Sequence, residues 1–136
     1  MKKTSFLAVF LLFLLPGLAS ARQMPLVDPE PINIPAGMPQ ASAVAAIKAG
    51  LAARQWNVLQ EKPGWMRATV IASGDVQATV DVVYDAQKVQ IKYVASKNLD
   101  ERGSDSDRSI GSRYINWSRN LTLSITQALL QQPISK

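Results

Sequence analysis

The stretch VQATVDVVYDAQKVQIKYVASK, residues 76–97, decides the fold of this chain. From residue 76 to residue 84 every second side chain is apolar, and most of those between are polar, which predicts a strand with one dry face. Residues 88–95 repeat this alternation after the turn Asp85-Ala86-Gln87. A turn this short joins antiparallel strands, because a parallel return needs a long crossover. The stretch therefore predicts a β-hairpin with one buried face.

Two further strands are predicted upstream, over residues 56–61 and 65–72, with turns at Lys62-Pro63-Gly64 and Ser73-Gly74-Asp75. An alanine-rich helix is predicted over residues 42–54, with Ser42 as its N-cap. A second helix, ending near residue 131, is predicted from a helical apolar stripe: Ile110, Tyr114, Trp117, Leu121, Ile125 and Ala128. Since a one-sided sheet needs a cover, we expect an α+β two-layer sandwich. In it a four-stranded antiparallel meander is covered on one face by two helices, in the order α-β-β-β-β-α.

The N-terminal segment predicts export. Residues 1–21 combine Lys2 and Lys3, an apolar run of ten residues and the small residues Ala19-Ser20-Ala21, which is the pattern of a secretory signal peptide cleaved after Ala21. The run is too short to span a bilayer, which takes about 20 residues. Residues 22–40 contain five prolines and are interpreted as an extended leader, either mobile or laid along the domain. Residues 41–132 form a single α+β domain.

Composition limits the chemistry. The chain has no cysteine, which removes disulfides, thiolate catalysis and a lipid-accepting residue at the cleavage site. It has no histidine, the commonest general base near neutral pH. Without residues 1–21 it carries 13 basic and 10 acidic side chains, a net charge of +3 that is ordinary for a soluble domain. We predict no metal site, no cofactor and no further transmembrane segment.

Two motifs with fixed spacing resemble those of a known protein family. They are Tyr93-x-x-Ser96-x-Asn98-Leu99 and Ile110-x-x-x-Tyr114-x-x-Trp117-x-x-Asn120-Leu121. With Arg54-x-Trp56 and Pro63-Gly64 they resemble a family of small exported bacterial proteins, many described as lipoproteins of uncharacterised function. The resemblance spans residues 44–129 and implies the helix–strands–helix order, but no activity. The chain departs from the family pattern at Gly111, where a histidine is frequent, and at Asp100, where an aromatic residue is frequent.

The candidate ligand-binding residues come from these motifs. Three aromatic side chains can converge between the last strand and the last helix, either as core packing or as the lining of a small apolar pocket. Ser96 and two asparagines would supply the polar contacts. The candidate residues are Tyr93, Ser96, Asn98, Tyr114, Trp117 and Asn120.

Catalysis has weak support in the sequence. Ser96 with Lys97 or Lys92 is a nominal serine–lysine pair. Lys92 and Ser96 would share a strand face, but Lys92 falls on the polar side, where a lysine is solvated and a poor base. Asp81 and Asp85 would lie about 13 Å apart on one face, too far for a glycosidase pair. The acidic loop 100–107 fails the EF-hand pattern and is interpreted as helix capping. No catalytic residue is predicted.

Three functions remain open. The first is a periplasmic or secreted binding or structural module of the cell envelope, whose partner is an envelope protein or an anionic envelope polymer. The second is a carrier of small apolar ligands that uses the aromatic pocket, and the third is a histidine-free hydrolase using Ser, Lys or carboxylates. Nucleic acid is not expected as a partner, because the basic residues of the polar sheet face are few and diluted by neutral ones.

Overall fold

The computed structural model describes residues 22–133. The predicted signal peptide, residues 1–21, lies outside the described residues. The larger of two sheets is antiparallel and has five strands in the order β2-β6-β5-β4-β3. The strands and helices are β1 (Gln23–Pro25), β2 (Ile32–Asn33), α1 (Gln40–Ala53), β3 (Asn57–Lys62), β4 (Trp65–Ala72), β5 (Val76–Tyr84), β6 (Lys88–Lys97), β7 (Ser109–Gly111) and α2 (Ser112–Gln131). A short 3₁₀ turn, Asp105–Asp107, precedes β7.

Strands β3 to β6 form the meander that the alternation predicts. Along β5, buried residues alternate without exception with half-buried ones, so a single face of the sheet enters the core. Gly64 and Gly74 occupy the preceding two turns with positive φ angles of 84° and 77°, which glycine adopts without steric cost. The α+β class, the antiparallel sheet and the two helices are confirmed.

The predicted element order is incomplete, because the proline-rich segment adds strands. Strand β2 pairs with β6 through Ile32 and Asn33, making the sheet five-stranded. Strand β1 pairs with β7 in a separate two-stranded ribbon. The backbone N–H of Leu26 also donates to the Arg108 carbonyl at 3.0 Å. Of the two arrangements left open for residues 22–40, the structure has the one in which the segment lies against the domain.

Helix α1 begins earlier than predicted. Pro39 is its N-cap, so Ser42 lies inside the first turn. The helix ends where Gln55 adopts a φ of 67° and the Trp56 N–H donates to the Leu51 carbonyl at 2.9 Å. This left-handed cap satisfies a terminal carbonyl and turns the chain into β3.

The two helices approach each other closely at Gly50. A Cβ atom added there would lie 2.6 Å from Ile125 Cγ1 and 2.7 Å from Ile125 Cα. The Ser124 hydroxyl donates to the Gly50 carbonyl at 3.0 Å, so the buried serine is satisfied across the same contact. Only a residue without a side chain fits this crossing.

Helix α2 begins later than predicted. Ile110 belongs to β7, not to the helical stripe, although it is fully buried. Tyr114, Leu121 and Ile125 are buried as expected, whereas Trp117 and Ala128 are only partly buried at the edge of the core. The helix also buries Ile115 and Leu129, so its covered face is rotated slightly from the predicted one.

The core lies between the helices and one face of the larger sheet. Buried residues of both helices and of strands β4, β5 and β6 form one cluster, which Ile32 and Ile34 of the N-terminal segment complete. The opposite face of the sheet has no covering element among residues 22–133. We call it the uncovered face; it is the surface on which β3 to β6 present their other row of side chains.

Candidate functional site

Three of the six candidate residues meet between β6 and α2. The rings of Tyr93 and Tyr114 pack edge to face, with centroids 5.3 Å apart and an interplanar angle of 85°. The Tyr93 and Ser96 hydroxyls are 2.7 Å apart and share a hydrogen bond. A β-bulge at Val94 makes this contact possible, because the extra residue moves Ser96 to the core side. The rings fill the space between strand and helix.

Tyr114 is fully buried, and its hydroxyl has no hydrogen-bond partner within residues 22–133. Burial raises the pKa of this phenol well above its ordinary value, and the nearby Asp28 and Tyr93 add to the rise. Asp28 itself accepts a hydrogen bond from the Tyr93 N–H at 2.9 Å, which fastens the N-terminal segment to the edge of β6. Tyr114 is therefore a packed core residue that stays neutral.

The Val94 bulge also separates the side chains of Lys92 and Ser96, which were expected to lie on the same face of the strand. Lys92 is in register with Asp81 on the uncovered face, whereas Ser96 is in register with the buried Ala78. The two side chains therefore lie on opposite faces of the sheet, and the expectation that they share a face is wrong. Lys97 is bound to Asp75, with Nζ 2.7 Å from Oδ2. No serine–lysine pair assembles around Ser96.

The other candidate residues lie in two different places. Asn98 has a φ of 60° and donates from its amide to the Asp75 carbonyl at 2.9 Å, so it closes the end of β6. Trp117 and Asn120 line a groove of about 370 Å³ at the end of β4, together with Trp56 and Arg54. The guanidinium of Arg113 lies 5.2 Å from the centre of the Trp117 ring. The six residues therefore do not form one pocket.

A larger groove was missed by the sequence reasoning. It has a volume of about 610 Å³ and lies between the N-terminal segment and α2. Val27 and Leu123 line it and are 65% and 56% exposed, and Arg119 lies on its helical wall. Only the chain path of residues 24–30 creates this groove, and the proline spacing gave no signal of that path.

The uncovered face concentrates positive charge. Five basic residues occupy it by strand register, against one acidic residue, Asp81, within the strands. Neutral hydrogen-bonding side chains fill much of the remaining surface, and the Thr79 hydroxyl lies 3.3 Å from that of Thr69 on the neighbouring strand. The basic residues are Lys62, Arg67, Lys88, Lys92 and Lys97.

An ion pair organises the centre of this face. Arg67 donates two hydrogen bonds to Asp81, from Nε at 2.8 Å and from Nη2 at 3.0 Å. These bonds hold the pKa of the Asp81 carboxyl below its ordinary value. Two cations lie close to the Trp65 ring, with Lys62 Nζ 5.3 Å and the Arg67 guanidinium 5.5 Å from its centre. Bidentate and cation–π contacts of this kind hold a planar group in a defined orientation.

Asp85 has a structural role, whereas α2 begins at the N-cap Gly111 with no acidic residue in its first turn, so the expectation that the loop 100–107 caps this helix is wrong. Asp85 accepts hydrogen bonds from the N–H groups of Gln87 and Lys88, at 2.7 and 2.8 Å, and these bonds lower its pKa. It thus caps the β5–β6 turn and does not pair with Asp81. Within residues 22–133 no cluster of three or more acidic side chains is placed to hold a metal ion.

Comparison with known proteins assigns no family: no family model matches the chain, and no curated protein matches it. Over the described residues, neither helix combines the length and apolar character needed to cross a membrane.

Proposed function

We propose that this protein is an exported, non-catalytic binding module of the cell envelope, located in the periplasm or secreted, and that it acts through the uncovered face. The observation that carries the proposal is the charge of that face. Lys62, Lys88 and Lys92 make no ion pair within residues 22–133, although all three are exposed. Unpaired cations on one open surface favour an anionic partner.

The proposal of export rests on residues 1–21 and on the resemblance to small exported bacterial proteins. The full chain with a C-terminal tag should be recovered from the periplasm or medium of a bacterial host. N-terminal sequencing should then read Arg22-Gln23-Met24. Retention in the cytoplasm with Met1 intact would end this part of the proposal.

Envelope binding is tested by co-sedimentation of the exported protein with isolated peptidoglycan sacculi and with lipopolysaccharide. We expect retention on at least one of them, weakened by a Lys62→Gln/Lys88→Gln/Lys92→Gln variant. These lysines are exposed and make no ion pair within residues 22–133, so the variant should unfold within a few degrees of the wild type, the cation–π contact of Lys62 with Trp65 contributing at most about 1 kcal/mol. No retention on either material would leave the binding proposal without support.

A second candidate function, a carrier of small apolar ligands, is favoured by the groove between the N-terminal segment and α2. Its volume of about 610 Å³ falls in the usual range of small-molecule sites. It would use this groove and not the Tyr93–Tyr114 contact. Native mass spectrometry of the exported protein should show a bound ligand that is displaced by Val27→Asp, while Ala49→Asp on the exposed side of α1 leaves it bound. A ligand-free mass under gentle conditions would count against this function.

A further inference from the structure

The three unpaired lysines of the uncovered face are arranged as a triangle. Lys88 and Lys92 lie four residues apart on β6, about 13 Å at the usual rise per residue. Lys62 is on β3, three strands away from β6 in the sheet order, or about 14 Å at the usual strand spacing. A compact anion could contact only one of these cations. An extended chain bearing several negative groups could contact all three.

The groups between the lysines suit a chain rich in hydroxyls. Thr69, Thr79, Gln77 and Gln90 occupy the same face by register and are half-buried. The first three also make side-chain hydrogen bonds within the protein, and their oxygens keep further acceptor capacity. Peripheral membrane binding calls instead for apolar side chains that enter the bilayer. Ile71, a large exposed apolar residue of this face, lies at the end of β4, away from Lys62 and Lys88, and Leu59, the other in strands β3 to β6, lies at the bulge of the edge strand β3. The face is therefore better matched to a polysaccharide than to a lipid surface.

Trp65 supplies a surface for a sugar ring. It is half-buried on β4, with the cationic groups of Lys62 and Arg67 near the ring. Part of the ring is exposed, and a pyranose whose C–H groups pack there would bring its acidic groups beside these two cations. The Arg67 guanidinium donates both of its hydrogen bonds described above to the Asp81 carboxylate.

We infer that the uncovered face binds a polyanionic polysaccharide, with Lys62, Lys88 and Lys92 contacting its acidic groups and Trp65 packing against one of its sugar rings. The inference rests on the proposed function and names the partner for the same surface. Asp81 opposes binding in this arrangement, because it engages Arg67 and reduces the positive charge of the face by one.

The test uses matched pairs of charged and neutral polymers: polygalacturonate against its methyl ester, and dextran sulfate against dextran. Binding of the exported protein is measured by affinity electrophoresis and by tryptophan fluorescence at two salt concentrations. We expect binding to at least one charged polymer, weaker at the higher salt, and none to its neutral counterpart. Failure to bind either charged polymer would overturn the inference.

Two sets of variants separate a specific surface from net charge. The Lys62→Gln/Lys88→Gln/Lys92→Gln variant should bind about tenfold more weakly or worse, since each exposed ion pair contributes little and the three act together. The control Arg54→Gln/Arg102→Gln/Arg119→Gln removes the same charge from exposed residues outside this face. An equal loss in the control would show that only net charge matters, and the inference would be wrong.

Asp81→Asn gives a readout that a purely structural role would not produce. It frees Arg67 and raises the charge of the face, so binding should become a few-fold tighter. Weaker binding in this variant, with an unchanged unfolding temperature, would contradict the arrangement. Binding to anionic phosphatidylglycerol vesicles but to neither charged polymer would identify a lipid surface instead. If sacculi retain the protein but the charged polymers do not bind it, the proposed function stands and the inference fails.

Discussion

Replacing Gly50 by alanine should destabilise the protein, although alanine is the better helix former. The added Cβ would lie 2.6 Å from Ile125 Cγ1, 2.7 Å from Ile125 Cα and 2.8 Å from the Ile125 backbone nitrogen. A new rotamer of Ile125 could relieve only the first of these contacts, because the other two atoms belong to the backbone. The helices must therefore move apart, which also stretches the 3.0 Å hydrogen bond from Ser124 to the Gly50 carbonyl.

The size of the effect follows from these contacts. Overpacking a core costs about 1–3 kcal/mol, and a backbone clash puts Gly50→Ala at the upper end of that range. Weakening the Ser124 hydrogen bond adds about 1 kcal/mol, whereas the higher helix propensity of alanine offsets about 1 kcal/mol. The net loss in the free energy of unfolding should be about 3 kcal/mol. At roughly 4 °C per kcal/mol, the unfolding temperature should fall by about 12 °C.

Urea unfolding followed by tryptophan fluorescence measures this loss, with an unchanged m-value showing that the compared states are the same. The matched control is Ala49→Gly, on the exposed side of the same helix, which should cost only about 1 kcal/mol from propensity. If Gly50→Ala were as stable as the wild type or more stable, propensity alone would be acting. The conclusion that helices α1 and α2 are too close at Gly50 to admit a side chain would then be wrong.

Three further changes test the core and the uncovered face. Tyr114→Phe should gain up to about 1 kcal/mol at pH 7, because the buried hydroxyl has no partner within residues 22–133. Since folding raises the pKa of this phenol above its unfolded value of about 10, wild-type stability should fall as the pH rises above 10, and less steeply in the variant. Equal alkaline slopes in urea titrations would refute this. Asp81→Asn should cost less than about 1 kcal/mol at pH 7, since Arg67 is more than a third exposed. The pKa of Asp81 is lowered on folding, so this contribution is present above about pH 4 and lost on acidification, and a difference from wild type that persists at pH 2 would contradict it. Trp117→Ala should cost about 2 kcal/mol in thermal unfolding, less than for a fully buried tryptophan, because the ring is only partly buried. A cost below about 0.5 kcal/mol would mean that the ring does not pack on the core.

The meander could be predicted because the sequence signals for its strands and turns lie within the strands and turns themselves. Period-two alternation and short glycine or aspartate turns specify both the strands and their antiparallel sense. The added strands β1, β2 and β7 have two or three residues each, too few to show a period. They exist because the N-terminal segment packs Ile32 and Ile34 into the core. Such tertiary contacts have no signature in the local sequence.

The candidate site was predicted less well, and the reason is register. Residues 88–95 alternate as if β6 were regular, but the bulge at Val94 shifts every later side chain to the other face. Ser96 therefore meets Tyr93 in place of Lys92, and Ala95 moves to the uncovered face. No glycine marks the bulge, so the alternation could not have revealed it. The contact of Tyr93 with Tyr114 could be predicted from the sequence, because Tyr93 precedes the bulge and Tyr114 lies on helix α2, so the shift in register changes the face of neither residue.

A basic sheet face can serve solubility or a ligand, and the pattern of charges distinguishes the two. Solubility is best served by opposite charges that are interspersed over the surface. Here the acidic residues Asp100, Glu101, Asp105 and Asp107 are gathered in the loop before β7, whereas Asp81 is the one acidic residue that the register of strands β3 to β6 places on the uncovered face. That carboxylate is engaged by Arg67 and leaves three lysines unpaired. A face kept only for solubility has no need of this imbalance, and so a loss of polyanion binding in Lys62→Gln/Lys88→Gln/Lys92→Gln that Arg54→Gln/Arg102→Gln/Arg119→Gln does not share is the result that would separate the two explanations.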